Sequence, residues 1–344
     1  MNFEIELIQA LKDKGVSDTL ISDIINSGYI IREWGDLQGG SYTSVSDKLY
    51  GSKGTSNNFE LDKFIAYAKG ESADFGNFPF ISYHVKSYAD INEILNDERR
   101  KRLIDSGRMV FRGQPQEYYY TRKIPNPIRR DNLGREISIT PGIYRGFDLG
   151  ISNNRFKTSN DITNRLLASI ESINNPELNS YYSYDFTRVH QHYISHTEGL
   201  DVTFDIRTAI YFATNRLHLK DERIATYENV ELGSHTGVIY GIVFRDPSVT
   251  KSEFYIDQFD YFKCYTPERI LRQHCGLPIF HEYERNIAIT DIDFIIYLEP
   301  EFEFSDGFTY KYMFPDRAQD KFYDQLLKLK QKFPEHLQEI VEYI

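Results

Sequence analysis

The chain has 344 residues and a formal charge of -11 at pH 7, with 51 acidic against 40 Lys and Arg side chains. Such a length buries a sizeable core, and the charge excludes a broadly basic surface for nucleic acid, so an anion site must be local. Two cysteines, Cys264 and Cys275, exclude a disulfide framework as the basis of the fold and point to a reducing, cytoplasmic setting. Neither a basic-then-apolar leader nor a run of about 18 apolar residues is present, so a protein with no membrane partner is expected.

Phe3, Leu7, Ile8 and Leu11 recur at helical spacing, Gly15 interrupts them, and Ser17-Asp18 caps a second helix carrying Leu20, Ile21, Ile24 and Ile25. A helical hairpin is expected, inside an N-terminal accessory region of residues 1–75. Residues 28–58, rich in Gly, Ser and Asn, read as an exposed connection. Residues 87–105 read as a helix with Ile91, Ile94, Leu95 and Leu103 on one side.

Met109-Val110-Phe111 reads as a buried strand, and it runs straight into Arg112-Gly113-Gln114. An arginine cannot shed its charge, so at the end of a buried strand it requires an internal carboxylate or a bound anion. Gly113 permits close approach of a ligand or of another segment. Arg122, Lys123, Arg129, Arg130 and Arg135 form the clearest basic cluster, either a phosphate-binding group or a solvated face. Residues 131–158 lack periodicity and read as a long loop, followed by a helix bearing Leu166, Leu167, Ile170 and Ile173.

His190, His192 and His196 raise the question of a metal. On a helix, His192 and His196 would share a face, but no adjacent Glu and no Cys or Asp pattern completes a tetrahedral set, so no metal site is expected. Thr203 and Asp205 are both suitable N-caps for a helix burying Ile206, Ala209, Ile210 and Ala213, whose free N–H groups could hold a phosphate or carboxylate. Val238 to Phe244 reads as a buried strand, and Ile287 to Leu298 as one or two more. Phe322, Leu326, Leu329 and Phe333, then Leu337, Ile340, Val341 and Ile344, read as two amphipathic helices around Pro334, packing on the domain or on a second copy in a homo-oligomer.

Five motifs occur in order. They are Phe111-Arg112-Gly113-Gln114, Pro125-Asn126-Pro127-Ile128-Arg129, Gln191-His192-Tyr193, Leu200-Asp201-Val202-Thr203, and Arg269 with Gln273, Gly276 and Phe280. Together they resemble the FRG domain family over roughly residues 80 to 300, which assigns 76–300 to that domain and 301–344 to a C-terminal helical extension. Ile194 to Gly199 departs from the family, replacing a more apolar run.

The order of elements is also similar to the NAD-binding core of the ADP-ribosyltransferases. That resemblance implies an α+β fold with a mixed-sheet core, the N-terminal hairpin and C-terminal amphipathic helices attached. It implies NAD as substrate, bound by Arg112, Gly113, Gln114, Arg129, Gln191, His192 and Tyr193, with Arg112, Thr203, Gln273 and Glu284 as the catalytic set. Glutamine cannot supply the negative charge that steadies a developing oxocarbenium ion, so Glu268, Glu282 and Glu284 stand as substitutes for Gln273. The expected function is an intracellular NAD-cleaving or ADP-ribosylating effector, a toxin or phage-defence protein with an unknown macromolecular target. The alternative is a non-catalytic sensor of a nucleotide or phosphorylated ligand, held by Arg112, Arg129 and Arg130.

Overall fold

The computed structural model describes residues 3–35, 41–50, 58–71, 75–76, 80–141, 191–193, 199–220, 224–229, 236–243, 267–277, 286, 292–304, 308–332, 334 and 340–343. Helices α1 (Phe3–Asp13) and α2 (Asp18–Asn26) form the expected hairpin, with Ser17 capping α2 through its hydroxyl. The described residues between 28 and 58 are not the exposed connection expected there, while 36–40 and 51–57 lie outside the described residues. Strands β1 (Tyr29–Gly35), β2 (Ser41–Asp47) and β3 (Asn58–Glu60) make a three-stranded antiparallel sheet, and α3 (Leu61–Ala68) closes the unit. Leu7, Leu11, Ile24, Tyr29, Val45, Phe59 and Phe64 are buried together between the helices and this sheet.

Strand β4 (Ser82–Ser87) leads into α4 (Tyr88–Leu95), which a Ser87–Asp90 capping box starts. The expected long helix is two. Asp97 accepts from the backbone N–H of Arg99 and Arg100 and so opens a new helix, α5 (Glu98–Asp105). Strand β5 (Met109–Gln114) comes next, then the hairpin β6 (Tyr119–Thr121) and β7 (Arg135–Ile137). Past residue 190 the described chain gives β8 (Val202–Thr203), α6 (Ile206–Thr214), β9 (Asn215–Lys220), β10 (Ile224–Asn229) and β11 (Val238–Val243). It ends with α7 (Glu268–Arg272), β12 (Cys275–Gly276), β13 (Ile292–Glu303), α8 (Tyr310–Met313), α9 (Lys321–Lys332) and β14 (Glu342–Tyr343).

The main sheet has six strands in the order β12-β8-β5-β11-β13-β4, with β13–β4 parallel and the other pairs antiparallel. The fold is therefore mixed α/β with several sheets. One face of the main sheet carries Met109, Phe111, Ile239, Phe294 and Ile296 against Ala209, Ile210 and Ala213 of α6. The other carries Val110, Val202, Val238, Tyr240 and Ile295. A two-residue side-chain period explains the split.

The end of the C-terminal extension is not helical as expected. Helix α9 buries Phe322, Tyr323, Leu326 and Leu327, but Glu342–Tyr343 is a strand that pairs in parallel with β10, and Ile340 is buried just before it. Among the described residues no helix is long and apolar enough to cross a membrane.

Candidate functional site

Alternation along β5 sends Met109, Phe111 and Gly113 towards α6 and Val110, Arg112 and Gln114 to the opposite face. A Cβ on Gly113 would lie 1.7 Å from the Ala209 carbonyl oxygen. The glycine thus lets helix α6 seat on the strand, and the close approach foreseen in the sequence is made by protein backbone. Among the described residues this leaves no room at Gly113 for a nicotinamide amide on that face.

Arg112 is half-buried and donates through Nη1 to the Asp201 carbonyl. Its register partner on β11 is Tyr240, fully buried, whose hydroxyl has no hydrogen-bond partner among the described residues. Burial pushes the Tyr240 phenol well above its ordinary value, so it stays neutral. Gln114 is 3 % exposed, and its Oε1 is likewise buried without a partner among the described residues. Beyond Tyr240 on the same face, Tyr297 donates to Glu117 at 2.8 Å, and Tyr119 donates to the other oxygen of that carboxylate.

The Gln191-His192-Tyr193 segment lies beside this face. Gln191 Nε2 donates to Asp201 Oδ2 at 2.8 Å, and His192 Nε2 stands 2.8 Å from Cys275 Sγ and 3.5 Å from Asp201 Oδ1. The segment is held from behind by Arg269, whose Nη1 donates to the His192 carbonyl at 2.7 Å. Arg269 is wholly buried, and its guanidinium carbon lies 4.1 Å from the Tyr343 ring centroid, 4.5 Å from Tyr193 and 4.8 Å from Tyr323. Desolvated cation–ring contacts contribute about 2 kcal/mol each and take the place of a carboxylate partner in direct contact. Tyr193 in turn donates to Asp320 at 2.6 Å.

Thr203 and Gln273 are fold-defining. Thr203 Oγ1 donates to the Gln273 carbonyl at 2.7 Å and accepts from the Asp205 N–H at 3.1 Å. The Gln273 amide donates to the Met313 carbonyl at 3.0 Å, which ties α7 to α8. Asp205 caps α6 and pairs with Arg207, so a carboxylate of the chain itself occupies the helix end proposed as an anion site.

The basic cluster disperses in the same way. Arg122 is buried between Asp47 and Glu136, Arg135 pairs with Asp131, Arg129 stacks on Tyr50 and Arg130 on Tyr67. Lys123 stands 3.8 Å from Asp23. These contacts fasten the β6–β7 hairpin to the N-terminal unit, which places Arg129 in that packing. Glu268 pairs with Arg272. Glu282, Glu284, His190, His196 and Cys264, and the helix expected over Leu166 to Ile173, lie outside the described residues.

The structure thus gathers Arg112, Gln114, Gln191, His192 and Thr203 at the β12-β8-β5 side of the sheet. It adds Asp201 and Cys275 there, with Tyr240 on the neighbouring β11 and Glu117 beyond it beside β13, residues to which the sequence pattern assigned no role. Of these, Asp201 had a sequence signal, since it sits inside the Leu200-to-Thr203 motif. No family model, curated protein or solved structure matches this chain.

Proposed function

We propose that this chain is an FRG-type domain that binds a phosphorylated nucleotide, with NAD as the candidate, on the face of the main sheet that carries Arg112. One observation carries the reading. The buried Gln114 Oε1 and Tyr240 hydroxyl, which have no hydrogen-bond partner among the described residues, flank a half-buried guanidinium, whose donors suit a phosphate. Each buried polar atom left without a hydrogen bond costs about 1–3 kcal/mol, and a ligand that supplies a donor to Gln114 and a partner to Tyr240 relieves both. Ribose hydroxyls and exocyclic amines have that chemistry.

Arg112 would anchor the diphosphate and Thr203 would fix the backbone around it. In the ADP-ribosyltransferase-like reading, NAD bound in this way is cleaved at its glycosidic bond. The sensor reading is favoured by Gln273, whose side chain is committed to Met313, so that the motif position expected to serve catalysis is a latch. Turnover then depends on a carboxylate elsewhere.

NAD titration with thermal unfolding and released nicotinamide read in the same samples separates the readings. Saturation well above the dissociation constant is expected to stabilise the wild type by about 2–4 kcal/mol. Arg112→Ala is expected to lose that response. Tyr240→Phe removes a hydroxyl with no partner among the described residues, so its fold is expected to be at least as stable, with weaker ligand binding. Stabilisation with nicotinamide release supports the enzyme, and stabilisation alone supports the sensor. An NAD response equal in wild type and both variants removes this face from the account.

A further inference from the structure

We propose that His192, Asp201 and Cys275 form a binding site for a thiophilic divalent metal ion, zinc by its donor chemistry. The inference stands on these three side chains and does not depend on nucleotide binding.

The donor atoms come from three separate segments and lie within 4.8 Å of one another. The contacts to Cys275 and to Asp201 use the same imidazole nitrogen. His192 Nε2 is 2.8 Å from Cys275 Sγ and 3.5 Å from Asp201 Oδ1. A nucleophile–base–carboxylate relay engages the two ring nitrogens separately, one for each partner. Convergence on one nitrogen describes a shared centre instead. A His–Cys hydrogen bond alone would also leave Asp201 Oδ1 stranded, for that oxygen is buried and has no hydrogen bond among the described residues.

One of the three donor separations already matches a tetrahedral ion, and the thiol must shift to bring the set, which spans up to 4.8 Å, around it. With metal–nitrogen and metal–oxygen bonds of about 2.1 Å, tetrahedral angles separate those donors by about 3.4 Å. The observed 3.5 Å between Nε2 and Oδ1 needs no adjustment. The Sγ–Nε2 contact is a hydrogen-bond distance and widens by several tenths of an ångström when the ion replaces the proton between them. That proton leaves with binding, so affinity is expected to rise with pH. Thiolate and carboxylate together balance a dication, and the three ligands among the described residues leave a fourth position for a further protein donor, water or an anion.

The supporting groups are in place. Gln191 orients the Asp201 carboxylate at 2.8 Å, Arg269 holds the His192 backbone at 2.7 Å, and Cys275 is fixed by its ladder pairing with Thr203. From sequence no metal is expected, because the ligands sought there lie near His190 and His196. Asp201 and Cys275 come after His192 at distances that match no short ligand motif.

Full-length protein freed of metal by a chelator and titrated with Co2+ is the test. It is expected to take up one equivalent with a sulfur-to-cobalt charge-transfer band, which Zn2+ displaces. Asp201→Asn, a near-isosteric change, is expected to weaken affinity by at least about tenfold. Cys275→Ser is expected to abolish the band and Cys264→Ser to retain it. Should Cys275→Ser fail to fold, X-ray absorption of zinc-loaded wild type decides, with one sulfur among nitrogen and oxygen neighbours supporting the site. No Co2+ uptake, a band that depends on Cys264, a zinc shell without sulfur, or unchanged affinity in Asp201→Asn overturns the proposal.

Discussion

At Gly113 a single methyl group decides whether helix and strand can meet. Its carbon would stand 1.7 Å from the Ala209 carbonyl oxygen and 2.9 Å from the Ala213 nitrogen, and both are backbone atoms that no rotamer change can move. Gly113→Ala is therefore expected to destabilise by at least the upper end of the about 1–3 kcal/mol typical of overpacking, read from urea unfolding midpoints. Asp320 makes a second prediction at this scale. Burial raises its carboxyl pKa, outweighing the opposing hydrogen bonds from Tyr193 and the Tyr323 N–H. A raised folded-state value means that the native protein holds the proton more tightly than the unfolded chain. The resulting stabilisation is fully present below the unfolded value of about 3.9 and is lost as pH rises through the folded value. Relative to Asp320→Asn, the wild type is expected to gain stability as pH falls through that window, and urea curves at a series of pH values measure it. Arg112 on a buried strand was legible from its triplet. That its Nη1 meets a backbone carbonyl was not, because sequence cannot say which peptide will turn towards a guanidinium.

Among the elements, the β6–β7 hairpin is the one whose composition misleads. Its cations look like a phosphate site, yet Arg122 reaches Asp47 at 2.5 Å and Glu136 at 2.7 Å, all three side chains being buried. Asp47 also accepts from Asn126 at 2.8 Å and from the Leu49 N–H at 2.9 Å. Removing one charge from such a group leaves another buried without balance, so Asp47→Asn or Glu136→Gln is expected to cost about 3–5 kcal/mol, measured by chemical denaturation. Strand β2 escaped notice for a related reason. Its sequence, Ser41 to Asp47, is polar, and Ser44, Ser46 and Asp47 are buried through hydrogen bonds and ion pairs rather than apolarity. By contrast, β5, β11 and α6 were readable because apolar periodicity alone fixes them. The last strand was misread since Ile340, Val341 and Ile344 fit a helical period as well as a strand when only a few residues are available.

Across the whole molecule the N-terminal unit is wedded to the motif-bearing part. Tyr29 and Tyr67 both donate to the Pro125 carbonyl at 3.0 Å, and Ile124 and Ile128 pack into the N-terminal core. A protein beginning after residue 75 would leave Arg122 and Glu136 without Asp47 and would expose that core. It is expected to be insoluble or to lack a cooperative unfolding transition, as circular dichroism would register. The motif order anticipated which segments would meet at the site. It left Gln273 open between a catalytic group and one bonded to backbone, and it gave Arg269 no role of its own, since a brace and a ligand-binding group carry the same side chains and differ only in what lies opposite.

The ring that comes nearest to Arg269 belongs to Tyr343, far downstream in the chain. During synthesis on the ribosome, Arg269 emerges well before that tyrosine, and β10 before its partner β14. The brace behind His192 is thus completed only once Glu342 and Tyr343 have emerged. A nascent chain that has exposed every motif up to Gly276 therefore still lacks the ring and the strand that hold those motifs in place.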